Sequence, residues 1–161
     1  LINTVRKCQC GITTVEFAIC GAVYFLVLFG VIEVGRLMFT MNALDEVTRR
    51  GARLASVCPV TQNAQVSNTA TFGGTVVSGL LPEHVDIAYL RGDFTPIADP
   101  IASFSNIIYV RVRIVGFTHR LLIPLFVQDI TPPPFSTTVL AESLGIIPPP
   151  DADSPSGLSS C

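Results

Sequence analysis

The chain opens on a nearly unbroken apolar stretch, passes into a helical alternation and ends in short alternating runs. Between Glu16 and Glu33 lie sixteen uncharged residues, Phe17–Ile32, reading FAICGAVYFLVLFGVI. From Cys8 to Ile32 the run is 25 residues with one acid, Glu16, and roughly 20 residues cross the hydrocarbon core of a bilayer as a helix. Beyond it, Leu37, Met41, Leu44, Val47, Gly51, Leu54 and Cys58 recur at spacings of three and four. Asp45, Glu46, Arg49, Arg50 and Arg53 take another face, which is an amphipathic helical pattern. One helix is therefore predicted from about Ile12 to Val57, its first half in a membrane and its second outside. All twelve prolines fall at Pro59 or later. Cys58-Pro59 ends the helix, because a residue before proline is pushed out of the α region.

The remainder reads as a small sheet. Thr61 to Gly79 is rich in Thr, Asn, Ser, Gly and Val, with a short helix expected toward Leu81, before Pro82. Val85–Leu90 reads as a short strand and Ile107–Thr118 as a longer one. In the longer one Ile108, Val110, Val112 and Ile114 share one face, and Tyr109, Arg111 and Arg113 the other. Phe135–Glu142 reads as a third. Three strands and a covering helix give an α+β fold, with the long N-terminal transmembrane and amphipathic helix packed on a small antiparallel β-sheet. Seven consecutive non-polar residues, Leu121 to Val127, interrupt the pattern. Such a run is either core or a partner surface, with Leu121, Leu122, Ile123, Leu125 and Phe126 as the candidate contacts. Proline-rich breaks at 132–134 and 148–150 stiffen the segments after them, and 146–161 reads as a tail that something must tie down.

Composition sharpens the membrane reading. Apolar residues make up 49% of the 161 positions, and the mean hydropathy is +0.56. That exceeds what a soluble domain of this size needs for its core, so part of the apolar content faces lipid or another chain. With 14% charged residues, neither a disordered chain nor a highly charged nucleic-acid binder fits. Residues 1–58 carry six Lys/Arg against four Asp/Glu, and 59–161 four Arg against eight acids. No nucleic-acid partner is expected. Arg6-Lys7 precede the apolar run and the charges from Glu33 to Glu46 sum to −2, which puts the N-terminus in the cytoplasm and the later part outside. A cleaved secretory signal fits poorly, since no small-residue cleavage site follows Ile32.

Glu16 is the costly residue, since an acid inside an apolar helix needs a partner, protonation or a snorkelling position at the headgroups. Arg6 and Lys7 lie outside the three- and four-residue spacings that meet on a helix. Asp45–Arg49 and Glu46–Arg50 have the favoured i,i+4 order and read as a solvated face. Arg111 and Arg113 could hold an anion, but paired surface charge is the commoner use of such positions. Cys58 and Cys161 both fall outside the membrane, where an oxidising compartment favours pairing them, with a Cys161 link to another subunit as the alternative. Cys8-x-Cys10 offers too few ligands for a metal. His84 and His119 stand in no nucleophile, metal or phosphate motif. No catalytic residue, metal or cofactor is expected.

Gly11-Ile12-Thr13-Thr14-Val15-Glu16-Phe17, preceded by Arg6-Lys7 and followed by the apolar run, resembles the class III signal of type IV prepilins. Gly30-Val31-Ile32-Glu33-Val34-Gly35-Arg36 and Gly51-Ala52-Arg53 resemble the TadE/TadG-like pseudopilins of tight-adherence pili. So do Tyr109-Val110-Arg111-Val112, Phe135-Ser136-Thr137-Thr138 and Ala141-Glu142-Ser143-Leu144-Gly145. One departure is the absence of proline in 17–32, where that family often has one. The resemblance implies cleavage between Gly11 and Ile12 by a prepilin peptidase, with Glu16 pairing with an N-terminal amine. It divides the chain into a leader (1–11), a long helix with a transmembrane half (12–58), a periplasmic or extracellular α+β domain (59–145) and a Pro-rich tail (146–161). Leu1 rather than Met stands first and residues 1–11 are retained, so the sequence is read as neither a complete precursor nor the mature form. The implied function is a minor pseudopilin, assembled through its helix with other pilin or pseudopilin subunits and supporting adhesion and biofilm formation. It would start in the bacterial inner membrane and end in an extracellular pilus. The alternative is a single-pass, membrane-anchored periplasmic interaction domain that does not polymerise.

Overall fold

The computed structural model describes residues 10–122, 128–147, 157–158 and 161, with the backbone alone at 10–12 and 158. Helix α1 runs unbroken over Cys10–Val57, 48 residues, on the order of 70 Å at 1.5 Å per residue. Helix α2 spans Asn63–Ala70. Strands β1 (Val85–Leu90), β2 (Tyr109–Ile114) and β5 (Ser136–Leu140) form an antiparallel sheet in the order β1-β2-β5. Between β2 and β5 the short strands β3 (His119–Arg120) and β4 (Asp129–Ile130) pair as a hairpin. Strands β6 (Ile146–Ile147) and β7 (Gly157–Leu158) pair near the end of the chain. The architecture is α+β, with the long helix laid across a small antiparallel sheet.

Packing follows the predicted faces. Val110 and Val112 of β2 are fully buried against α1, and their cross-strand partners Tyr89, Ile87, Val139 and Thr137 share that face. From the helix come Leu44, Val47, Ala52 and Ala55, with Cys58 just past its end, all 0–1% exposed. Burying side chains of this size contributes roughly 25 cal/mol for each Å² of apolar surface removed from water. Small residues let the layers approach. A Cβ on Gly51 would lie 3.1 Å from Val112 Cγ1 and 3.4 Å from the Ala70 methyl. Thr48 and Thr137 join helix to sheet through their hydroxyls at 2.9 Å. The Tyr89 hydroxyl donates to Asn63 Oδ1 at 2.7 Å, and its burial pushes the phenol pKa up to about 12.

Several expectations shift in detail. The helix foreseen toward Leu81 lies earlier, at Asn63–Ala70. There Val66 and Ala70 are buried, and Thr71 turns the end by donating its hydroxyl to the carbonyls of Ser67 and Asn68. Strand β2 is shorter than Ile107–Thr118 because Gly116, at φ +68°, turns the chain. Ile108, assigned to the inner face, is 45% exposed. Asp45 pairs with Arg49 at 2.7 Å, but Arg50 lies over the Phe72 ring, 4.5 Å from its centroid, and not against Glu46. Loop residue Phe72 offers a π-face, and that contact takes the guanidinium away from the exposed acid.

The outer end of α1 is locked by sequence far from it. The N–H groups of Glu142 and Leu144 both donate to the Ser56 carbonyl, at 3.1 and 3.2 Å, and the Ser143 hydroxyl to that of Val57. Carbonyls left open at a helix C-terminus are thereby satisfied. Cys58 is bonded to Cys161 across 103 positions, a closure worth on the order of 5 kcal/mol by chain entropy alone. Gly145, at φ +85°, presses against Pro59, and a Cβ there would come within 2.5–2.7 Å of its ring and nitrogen. Gly145→Ala is thus expected to lower stability by more than about 1 kcal/mol in thermal or denaturant unfolding of detergent-solubilised protein. Gly35→Ala, where a Cβ meets nothing within 4 Å, is expected not to.

Candidate functional site: the membrane end of the long helix

From Thr13 to Ile32 the helix touches almost nothing. Gly21 and Gly30 are half-covered and every other residue is exposed, including Phe17 at 80% and Val31 at 69%. The helix is long and apolar enough to cross a membrane, and the 21 positions from Ile12 to Ile32 span about 30 Å, the thickness of the hydrocarbon core. Gly11 and Ile12 lie in the opening turns. Glu16 follows on the same helix, exposed.

Glu33, the first residue after the apolar run, is also the first to be buried, at 6% exposure. Its carboxylate accepts from Arg36 Nε at 3.1 Å and from the guanidinium's Nη2 at 2.5 Å. Arg36 also donates to the backbone carbonyl of Arg120 at the end of β3. His119, 3% exposed, brings Nε2 to 3.4 Å from the carboxylate, too poorly aligned for a hydrogen bond. One acid thus clamps the β3–β4 hairpin to the helix at the edge of the membrane segment. The Arg36 guanidinium holds the Glu33 carboxyl below its ordinary range, against the opposing effect of burial.

Sequence reasoning overlooked this cluster. Its local trace is Glu33-x-x-Arg36, a pair placed three apart where the apolar run stops. His119, 86 positions later than Glu33, has no such trace. Of the expected partner surface, Leu121 is half-buried and Leu122 is 67% exposed. Ile123, Leu125 and Phe126 lie outside the described residues. Arg113 pairs with Asp86 across the strands at 2.5 Å, and Arg111 Nε is buried with no partner among the described residues. His84 accepts from the Leu81 N–H and packs edge-on against Phe117. An open apolar cleft at the far end of α1, lined by Pro59, Val60, Thr61, Ile101, Phe104 and Leu144, contributes one side-chain hydroxyl and no charge.

A depressed carboxyl pKa stabilises the fold fully above the ordinary value of 4.5, which the unfolded chain keeps, and that contribution is lost as pH falls through the lower folded value. Protection of the Leu121 amide, which donates to the Gln128 carbonyl across the hairpin, is therefore expected to fall on acidification through that window. Hydrogen exchange checks it: Glu33→Gln is expected to show low protection already at neutral pH and little further change.

No curated protein and no solved structure matches the chain. Residues 11–53 match the family described as TadE-like protein. That segment holds the expected cleavage point, Glu16, the apolar run, the Glu33–Arg36 clamp and the close-packed Gly51. Over these residues, which make up the long helix as far as Arg53, the chain is similar to TadE-like proteins.

Proposed function

We propose that the protein is a minor pseudopilin of a tight-adherence pilus, a structural and non-catalytic subunit held in the inner membrane by α1, with its sheet domain in the periplasm. A prepilin peptidase cuts between Gly11 and Ile12. The helix then packs with other pilin or pseudopilin subunits, in support of adhesion and biofilm formation. The observation that carries this reading is how far the exposed apolar face extends. On the side of α1 turned away from the sheet, Val34, Met38 and Phe39 are 55–58% exposed. The uncovered apolar face therefore continues about 10 Å past Ile32. A bilayer needs about 30 Å of it. The excess suits the flank of a neighbouring helix and has no use in a lone anchor.

Glu16 fits the same scheme. Cleavage would create an amine at Ile12, and a carboxylate in a low-dielectric helix bundle gains strongly from a cation on a neighbouring subunit. Glu16→Ala is expected to leave processing intact while removing the protein from sheared pili, as read by immunoblot of membrane and pilus fractions. Normal amounts of the variant in pili would contradict the assigned role, and loss of processing would move Glu16 to the peptidase step.

A further inference from the structure

We propose that the open edge of β5 joins the free half of β1 in a second copy of the chain, so that neighbouring copies share one sheet. The proposal rests on the reading that copies stand side by side with α1 across the same membrane. Among the described residues the sheet ends at β5, in the order β1-β2-β5. The Ala141 N–H bonds to Ile108 and the Phe135 carbonyl accepts from Ile114, and paired positions alternate along an antiparallel ladder. Odd-numbered residues of β5 therefore face β2, and Ser136, Thr138 and Leu140 turn their N–H and C=O groups outward. On β1 the His84 carbonyl accepts from Val115, so Val85, Ile87 and Tyr89 turn theirs outward. The Tyr89 carbonyl already accepts from Ile97, and Leu90 bridges to Pro96. Val85–Ala88 is the half of that edge left open, and an unpaired edge is a template for another strand.

Direction and height select the pairing. Thr48 meets Thr137 and Ser56 meets Glu142, so α1 and β5 run the same way. Two β5 edges paired antiparallel in one sheet would set the two helices in opposite directions, which chains inserted alike in one bilayer exclude. β1 and β5 both run antiparallel to β2, so β5 of one copy meets β1 of the next in parallel. Arg113 pairs with Asp86 on one side and with Ser136 on the other. At equal height, Ser136 therefore stands level with Asp86 of the second copy. The Ser136 N–H then meets the Val85 carbonyl, its C=O meets the Ile87 N–H, and the Thr138 N–H meets the Ile87 carbonyl, the slanted register of a parallel ladder. Charge agrees with this placement. Arg111 Nε is buried with no partner among the described residues, and Asp86 is held by Arg113 of its own chain. Across the joint, Asp86 of the second copy would lie on the outer face two strand spacings, about 10 Å, from Arg113 and close to Arg111. Only the short side chains of Ser136 and Thr138 stand between, so one carboxylate would face guanidinium groups of both copies.

Introduced cysteines test the joint in the full chain, expressed in a bacterial inner membrane with Cys8, Cys10 and Cys20 replaced by serine. Ala88 and Thr138 both pair with Arg111. Within one chain they therefore lie two strand spacings apart, about 10 Å, beyond the roughly 7 Å that a disulfide spans. Between copies they become level neighbours. Ala88→Cys/Thr138→Cys is expected to give disulfide-linked dimers and longer ladders on mild oxidation, and Thr138→Cys alone none. Ser136→Pro removes an outward N–H and leaves the bonds to β2 in place. Added to the cysteine pair, it is expected to abolish the links while thermal unfolding of the purified protein is unchanged. Met38→Cys, bridged by a bismaleimide, reports association through the helices independently. Linked Met38→Cys with unlinked Ala88→Cys/Thr138→Cys overturns the shared sheet and leaves the assembly reading standing. Links from Thr138→Cys alone, or links that survive Ser136→Pro, also overturn it. Absence of links at both places overturns the shared sheet and the side-by-side assembly on which it rests.

Discussion

The close approach of α1 to the sheet at Gly51 is the constraint on which the domain outside the membrane depends. With a methyl there, the helix would press on Val112 and on Ala70 at once. Glycine lets one helix back onto β2 and α2 together, and Ala52 and Ala55, both fully buried, extend the same narrow seam. A close-packed interior yields little when volume is added to it. The Thr48–Thr137 contact, the capping of Ser56 by 142–144 and the bond from Cys58 to Cys161 all require the helix to lie at that depth.

A single helix thus serves two solvents, and the boundary between them is chemically marked. From Phe17 to Ile32 the surface is apolar all round and almost wholly uncovered, as a lipid-facing helix is. Above it one face is core, while the opposite face stays apolar to Phe39 and then turns polar at Asn42, Glu46, Arg49 and Arg53. Glu33 stands at the change, where a carboxylate is tolerable because the Arg36 guanidinium neutralises it through two hydrogen bonds. The clamp does two things: it satisfies an acid that burial would otherwise penalise, and it fixes the β3–β4 hairpin to the level of the membrane edge.

The sequence was most readable where periodicity is long or strict. The 48-residue helix, β1 at Val85–Leu90 and the inward Val110 and Val112 were plain from spacing alone. Strand ends were less so, because Gly116 stops β2 through backbone conformation, which hydropathy does not encode. Helix α2 was misplaced because NAQVSNTA is mostly polar and offers only Val66 and Ala70 to the core; a tertiary contact with Gly51 decides it. The Glu33–Arg36–His119 cluster was illegible for another reason: His119 lies far from the other two in the chain, and an acid after an apolar run looks like simple punctuation. Arg50 likewise turned to Phe72, a partner that helical spacing could not supply.

Gly11, Ile12 and Glu16 lie in the opening turns of an uncovered apolar helix, where a leader, an amine and an acid would together control entry into a filament. The most direct test of that account is the intact mass and N-terminal sequence of the protein recovered from cells with and without active prepilin peptidase. The account predicts a chain beginning at Ile12 only where the peptidase is active. A chain that retains Arg6, Lys7 and Gly11 in both would contradict it, and would favour a membrane-anchored periplasmic domain that does not polymerise.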